Sequence, residues 1–175
     1  GDHRVELIGT CDQGIRYWDF VASAWTQMTA DVTTGDIAAG YINSDDIADV
    51  ASSWENYGLW YQDGATLDWT KLDDSPAYSL TAGDVTGDGR VELIGTWSNG
   101  IWYYDFAASP PAWTQMTAEV TTGDIAAGDF NGDGIADVAS SWDNGLWYQD
   151  GATLDWTQID DSPPDRLTTG DLVEQ

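Results

Sequence analysis

The sequence predicts an all-β fold of repeated four-stranded antiparallel sheets, and three observations carry that prediction. Long stretches of the chain occur twice. Within each copy a weaker unit of about 43 residues recurs, a period in the range of propeller blades. Short runs rich in Trp, Tyr, Val, Ile and Thr alternate with clusters of Gly, Asn and Asp, which is the pattern of strands and hairpins; the long 3.6-residue periodicity of helical repeats is missing. A β-propeller of four blade-equivalents, forming one domain over residues 1–175, follows from these.

The duplication is read directly. Val5-Glu-Leu-Ile-Gly-Thr10 returns at Val91 to Thr96, an offset of 86; Trp25 to Gly40 returns at Trp113 to Gly128, an offset of 88; Gly64 to Thr70 returns at Gly151 to Thr157, an offset of 87. The blade-equivalents are residues 1–31 joined by 167–172, then 32–75, 76–119 and 120–162. In the last complete unit the strands are expected at Asp124 to Asp129, Ala136 to Ser141, Leu146 to Gln149 and Asp155 to Ile159. The first is rich in small residues, as suits an inner strand crowded near an axis. Asn99-Gly100 and Asn144-Gly145 mark tight hairpins, because this pair tolerates positive φ. Residues 1–4 match the end of a loop between first and second strands, and Leu167 to Leu172 match a first strand. One end is therefore expected to complete the blade begun at the other.

Tryptophan spacing supports the count of four. Each full unit places Trp at the end of its second strand, in the third and in the fourth; the first unit has Cys11 and Arg16 at two of these places and keeps Trp25. Cys11 is read as an aromatic position replaced by a small filler, and a lone cysteine excludes an internal disulfide.

Charge narrows the function. With 31 Asp+Glu against 5 Lys+Arg and a net charge of −26, the chain repels nucleic acid and anionic lipid and attracts cations. No apolar run is long enough for a helical membrane span, so direct membrane insertion is not expected. One His and one Cys supply no nucleophile–base set, and a non-catalytic protein is expected.

Cation chemistry has a specific location, the loop between first and second strands. Asp84-Val-Thr-Gly-Asp-Gly-Arg-Val-Glu92 and Asp129-Phe-Asn-Gly-Asp-Gly-Ile-Ala-Asp137 put side-chain oxygens at positions 1, 3, 5 and 9 and Gly at position 6. Calcium takes six to eight oxygens, and such alternation in a tight loop makes them converge. The candidate ligands are Asp84, Thr86, Asp88 and Glu92, and Asp129, Asn131, Asp133 and Asp137, with Arg90 and Ile135 offering backbone carbonyls. An EF-hand would need flanking helices and a Glu at position 12; an ordinary acidic hairpin is the remaining alternative. The loop 41–49 is a weaker candidate, keeping Asn43, Asp45 and Asp49 but carrying Tyr41 at position 1 and Asp46 at position 6. A fourth set, Asp171 with Asp2 and Glu6, forms only if the ends meet.

The segment Ala127-Gly-Asp-Phe-Asn-Gly-Asp-Gly-Ile-Ala-Asp137 resembles the FG-GAP/VCBS repeats of integrin α-chain propellers and of many secreted bacterial proteins. The resemblance runs through successive blades of the whole chain. It implies a propeller fold, Ca2+ at positions 1, 3, 5 and 9 of each intact loop, and a secreted or cell-surface setting. Family rings usually have about seven blades. Four leaves open a small ring, two chains completing one larger ring as a homo-oligomer, or a piece of a longer array.

A second pattern, Trp-x-Asn-Gly-(Ile/Leu)-Trp-Tyr, occurs at Trp97 to Tyr103 and Trp142 to Tyr148, with an insertion at Trp54 to Tyr61. It resembles the aromatic blade turns of propeller lectins. Indole faces stack on pyranose rings while Asn satisfies hydroxyls, so Trp54, Trp97, Asn99, Trp142 and Asn144 are candidate contacts for a carbohydrate or a cell-surface glycoprotein. Tryptophans of the third and fourth strands are expected to pack between blades. The alternative expectation is a structural or protein-adhesion scaffold with no small ligand.

Overall fold

The computed structural model describes residues 7–30, 35–43, 45, 47–119 and 123–170. Every regular element in them is a strand, and the strands form four antiparallel sheets. The first sheet comprises β1 (Leu7–Cys11), β2 (Gly14–Asp19) and β3 (Ala24–Thr29). The second comprises β4 (Ile37–Gly40), β5 (Asp49–Trp54), β6 (Gly58–Gln62) and β7 (Trp69–Asp73). The third comprises β8 (Leu80–Gly83), β9 (Glu92–Trp97), β10 (Gly100–Asp105) and β11 (Ala112–Thr117). The fourth comprises β12 (Ile125–Gly128), β13 (Asp137–Trp142), β14 (Gly145–Gln149) and β15 (Trp156–Asp160). Each follows sequence order across the sheet, as up-and-down blades do.

Local chemistry sets the register. In the β9–β10 hairpin Trp97 opposes Gly100, and in β13–β14 Trp142 opposes Gly145, with φ of +118° at Gly100 and +129° at Gly145. A Cβ on Gly100 would stand 1.9 Å from the Thr117 carbonyl, so the glycine is required by φ and by contact with the neighbouring strand. One residue later each sheet shifts register against its outer strand, at Ile15/Arg16, Leu59/Trp60, Ile101/Trp102 and Leu146/Trp147. Such bulges increase local twist.

The inner strands β4, β8 and β12 and the segment Leu167–Thr169 surround a central cavity of about 290 Å³. Small side chains there let the strands approach: a Cβ on Gly83 would meet Ala127 and Ala136 at 2.9 and 3.0 Å. Acidic residues just before these strands latch one blade to the next. Asp36 accepts from the Leu80 N–H at 2.9 Å and Asp124 from the Leu167 N–H at 3.1 Å, while the buried Ser79 hydroxyl donates to Asp124 at 2.7 Å. Between blades lie two apolar cores. One joins Ala38, Ala51 and Leu59 to Leu80 and Leu93; the other joins Ile94 and Ile101 to Ile125 and Val138.

The expected meeting of the two ends falls in large part on residues outside those described. Among the described residues, Leu167 to Gly170 makes no ladder with β1; it lies along β12, with the Thr169 hydroxyl donating to the Ala127 carbonyl at 3.0 Å. It docks there because the Asp124 carboxylate and the Ala127 carbonyl offer the acceptors an inner strand needs. The residues Asp2, Glu6 and Asp171, assigned to a fourth metal loop, lie outside the described residues, as does Asp46. Cys11 is exposed at the end of β1.

Candidate metal centre and aromatic grooves

The loops joining inner and second strands are folded by their own carboxylates. Asp84 accepts from the N–H groups of Gly87 (2.8 Å) and Asp88 (3.2 Å) through Oδ1 and from Gly89 (2.8 Å) through Oδ2. Asp129 repeats this with Gly132, Asp133 and Gly134. Position 5 caps the turn in turn, Asp88 accepting from Arg90 N–H at 2.9 Å and Asp133 from Ile135 N–H at 2.8 Å. Adjacent loops are tied together, since the Ala136 N–H donates to the Asp84 carbonyl at 2.7 Å and Ile135 packs over Gly87.

The closing residue distinguishes the loops. Glu92, 1% exposed at the start of β9, accepts from Val85 and Thr86 N–H groups through one oxygen and lies 3.4 Å from the Thr86 hydroxyl through the other. Its reach brings it to Asp84 and Asp88, and oxygens of these three lie within 4.8 Å of one another, the only such acidic cluster among the described residues. Asp137 is a methylene shorter, and its two oxygens are held by the N–H groups of Phe130 (2.9 Å) and Gly151 (2.9 Å). Asp49 is held likewise by Asn43 and Gly64 N–H groups, while Asp45 caps Ile47. In these two loops the position-3 amide turns outward, Asn131 donating to Asp150 and Asn43 to Asp63, each at 3.0 Å.

Asp63 and Asp150, together with Gly64 and Gly151, are parts of the loop system that motif reading overlooked. They lie in the hairpin between third and fourth strands, far from the motif in sequence. The signal was present in the repeated Gln-Asp-Gly-Ala-Thr-Leu-Asp-Trp at residues 62–69 and 149–156. Gly151 is required because a Cβ there would lie 2.4 Å from the Ala136 carbonyl. Backbone N–H donors, led by those of Thr66 and Thr153, hold the Asp63 and Asp150 carboxyls below the usual range.

Electrostatics single out the 84–92 loop. Burial, reinforced by Asp84 and Asp88 against the opposing backbone donors, pushes the Glu92 carboxyl up to about 7. Burial also raises Asp49. Three hard oxygen donors converging in one loop fit a divalent metal ion. The metal-free protein is therefore expected to lose stability as pH rises. Between pH 4.5 and 7 the folded state retains the Glu92 proton that the unfolded chain has released, so ΔG of unfolding falls over that window, by roughly 1–2 kcal/mol after solvent screening. Urea denaturation of metal-free protein at pH 5 and pH 8 measures this, with Glu92→Gln removing Glu92's contribution to the slope.

Two grooves open at the sheet junctions. One, about 350 Å³, lies between Thr29 of the first sheet and Trp54, Tyr57, Trp60 and Trp69 of the second. The other, about 510 Å³, lies between second and third sheets and is lined by Asp73, Ser75 and Tyr78 with Trp97, Asn99, Trp102 and Trp113. Trp97, stacked edge-to-face on Trp113 at 4.9 Å, donates its Nε1–H to the Ser75 carbonyl at 3.3 Å. Trp54 is only 7% exposed and packs edge-to-face on Trp69, so it offers the groove less surface than its strand-end position suggested. Trp142 packs on Trp147 and Trp156, and the Asn144 side chain accepts from Trp147 Nε1–H at 3.2 Å. Trp60 and Trp102, third-strand residues expected to pack between blades, line the grooves instead, together with Tyr57.

The molecule is thus a repeat protein of antiparallel blades carrying an acidic loop able to hold a metal ion. Residues 84–140, running from the Asp84 loop into β13, match the FG-GAP-like repeat. A comparison of the chain with curated proteins gave no match.

Proposed function

We propose that this protein is a non-catalytic recognition module, stabilised by calcium and working outside the cytoplasm, whose aromatic grooves hold carbohydrate. The observation that carries the reading is the recurrence of a Trp-lined groove at successive blade junctions, each with indole walls and polar groups at its rim. Both are the size of small-ligand sites, and their mix of aromatic surface and few hydrogen-bonding groups suits a sugar. The charge of −26 favours neutral or cationic sugars over sulfated or carboxylated ones.

Calcium is the metal that suits Asp84, Asp88 and Glu92, all hard carboxylate oxygens, with the Arg90 carbonyl and Thr86 as further donors; a second ion in the loop 129–137, on Asp129, Asn131, Asp133, Asp137 and the Ile135 carbonyl, requires Asn131 to leave Asp150 and turn inward. Bound there, the ion neutralises mutually repelling carboxylates and stabilises the folded state. Weak extracellular calcium modules operate at millimolar calcium, which accords with an extracytoplasmic setting.

A glycan array probed with labelled protein in calcium, and again after chelation, tests the reading. Binding to a coherent class of neutral glycans, lost in Trp97→Ala and Trp60→Ala, is the expected result; a blank array from folded protein sinks it. The scaffold alternative draws support from the indoles already engaged with one another, Trp54 on Trp69 and Trp97 on Trp113. Protein adhesion without sugar binding would then be the outcome.

A further inference from the structure

The contact between the second and third sheets is a template for a contact that the first and fourth sheets leave open. In the template, Tyr61 meets Phe106 edge-to-face at 4.8 Å, Phe106 meets Tyr104 at 4.7 Å, Tyr104 meets Trp113 at 5.1 Å, and Trp113 packs beside Leu72. Leu93 is 0% exposed beneath them. The internal duplication places the same chemistry at both outer faces. On the first sheet Leu7, Trp18, Phe20 and Trp25 correspond to Leu93, Tyr104, Phe106 and Trp113; on the fourth, Tyr148 and Ile159 correspond to Tyr61 and Leu72. The first face is already assembled, with Trp18 edge-to-face on Trp25 at 5.5 Å and on Phe20 at 6.5 Å. Yet Leu7 is 58%, Phe20 60%, Trp25 45% and Ile159 56% exposed.

Strands complement one another as the faces do. The first sheet has no inner strand beside β1 among the described residues. Leu167 to Gly170 occupies an inner-strand position with no second strand paired to it among the described residues: its Leu167 N–H bonds to Asp124 as the Leu80 N–H bonds to Asp36, and Ser141 donates to the Pro164 carbonyl as Ser53 does to that of Ala77. β8 in the same position pairs with β9.

We propose that a second copy of this chain docks head to tail, its first sheet seated on the fourth sheet and the Leu167–Gly170 segment of its neighbour. β1 adds to that segment in the register of β8 and β9, placing Leu7 opposite Thr169, Ile8 opposite Thr168 and Gly9 opposite Leu167. Tyr148 and Ile159 of one copy then cover Phe20 and Trp25 of the other. The contact is heterologous, so two copies close into a ring if both junctions form.

Sedimentation velocity and light scattering of the 175-residue chain from about 1 to 100 µM test this. A concentration-dependent dimer is expected. Phe20→Asp and Ile159→Asp, both at exposed positions, each weaken it at least tenfold, while Leu67→Asp, at an exposed turn tip away from both faces, leaves it intact. Because each variant keeps one good face, mixing Phe20→Asp with Ile159→Asp restores a dimer that neither forms alone. A wild-type chain monomeric throughout, a dimer indifferent to both charged substitutions, or a mixture that stays monomeric overturns the proposal.

Discussion

Chelation is expected to lower the melting temperature of the calcium-loaded protein by about 5–10 °C. One site held at a hundredfold excess over its Kd contributes roughly 2.7 kcal/mol, and in a domain of this size each kcal/mol is worth about 2–4 °C. The effect originates in Asp84, Asp88 and Glu92, whose carboxylate oxygens lie within 4.8 Å of one another and repel when ionised. Glu92→Gln makes the argument testable at one residue. The variant relieves the repulsion and the cost of a buried charge, so metal-free it melts at or above the metal-free parent at pH 8, and calcium raises its melting temperature far less. Differential scanning calorimetry of both proteins, with calcium and after verified metal removal, reads all four values. A wild-type melt unmoved by chelation would remove calcium from the stability of this fold.

The second large effect is expected from Gly100→Ala. A Cβ at this position stands 1.9 Å from the Thr117 carbonyl and 2.9 Å from Ala118 Cα, both backbone atoms that move only if β11 moves, and φ is +118°. Strain of this kind together with a displaced strand costs about 3 kcal/mol or more, a fall of roughly 6–12 °C in Tm. The same change displaces Asn99, whose carbonyl accepts from Gln115 Nε2 at 2.8 Å, and with it one wall of the larger groove. Gly132→Ala provides the contrast. It also has positive φ, +81°, but nothing lies within 4 Å of its Cβ, so only the conformational strain of about 1 kcal/mol remains. Chemical denaturation of the two variants separates steric from conformational cost, and equal losses would refute the steric account.

Blade count, hairpin positions and the acidic loops were legible in the sequence because each depends on local chemistry. Asn-Gly fixes a tight turn, alternating Asp and Gly fix a loop whose carboxylates bind its own N–H groups, and small residues mark the strand that must approach an axis. The repeats made these signals unambiguous, because each appeared in more than one copy. Three features were decided only by tertiary structure. The two intact loops read alike, yet only the one closed by Glu92 gathers three acidic oxygens, because Asp137 is too short and is claimed by the Gly151 N–H, which arrives from another hairpin. Trp54 read as a surface contact and is 7% exposed, because Trp69 packs against it from the next strand but one. The segment from Leu167 read as an inner strand, and packing sets its neighbour: it lies along β12, where Asp124 and the Ala127 carbonyl offer it hydrogen bonds. Local patterns specify turns, strands and which residues can bind; distances between residues from different blades set which of them do, and those distances exist only once the sheets have packed.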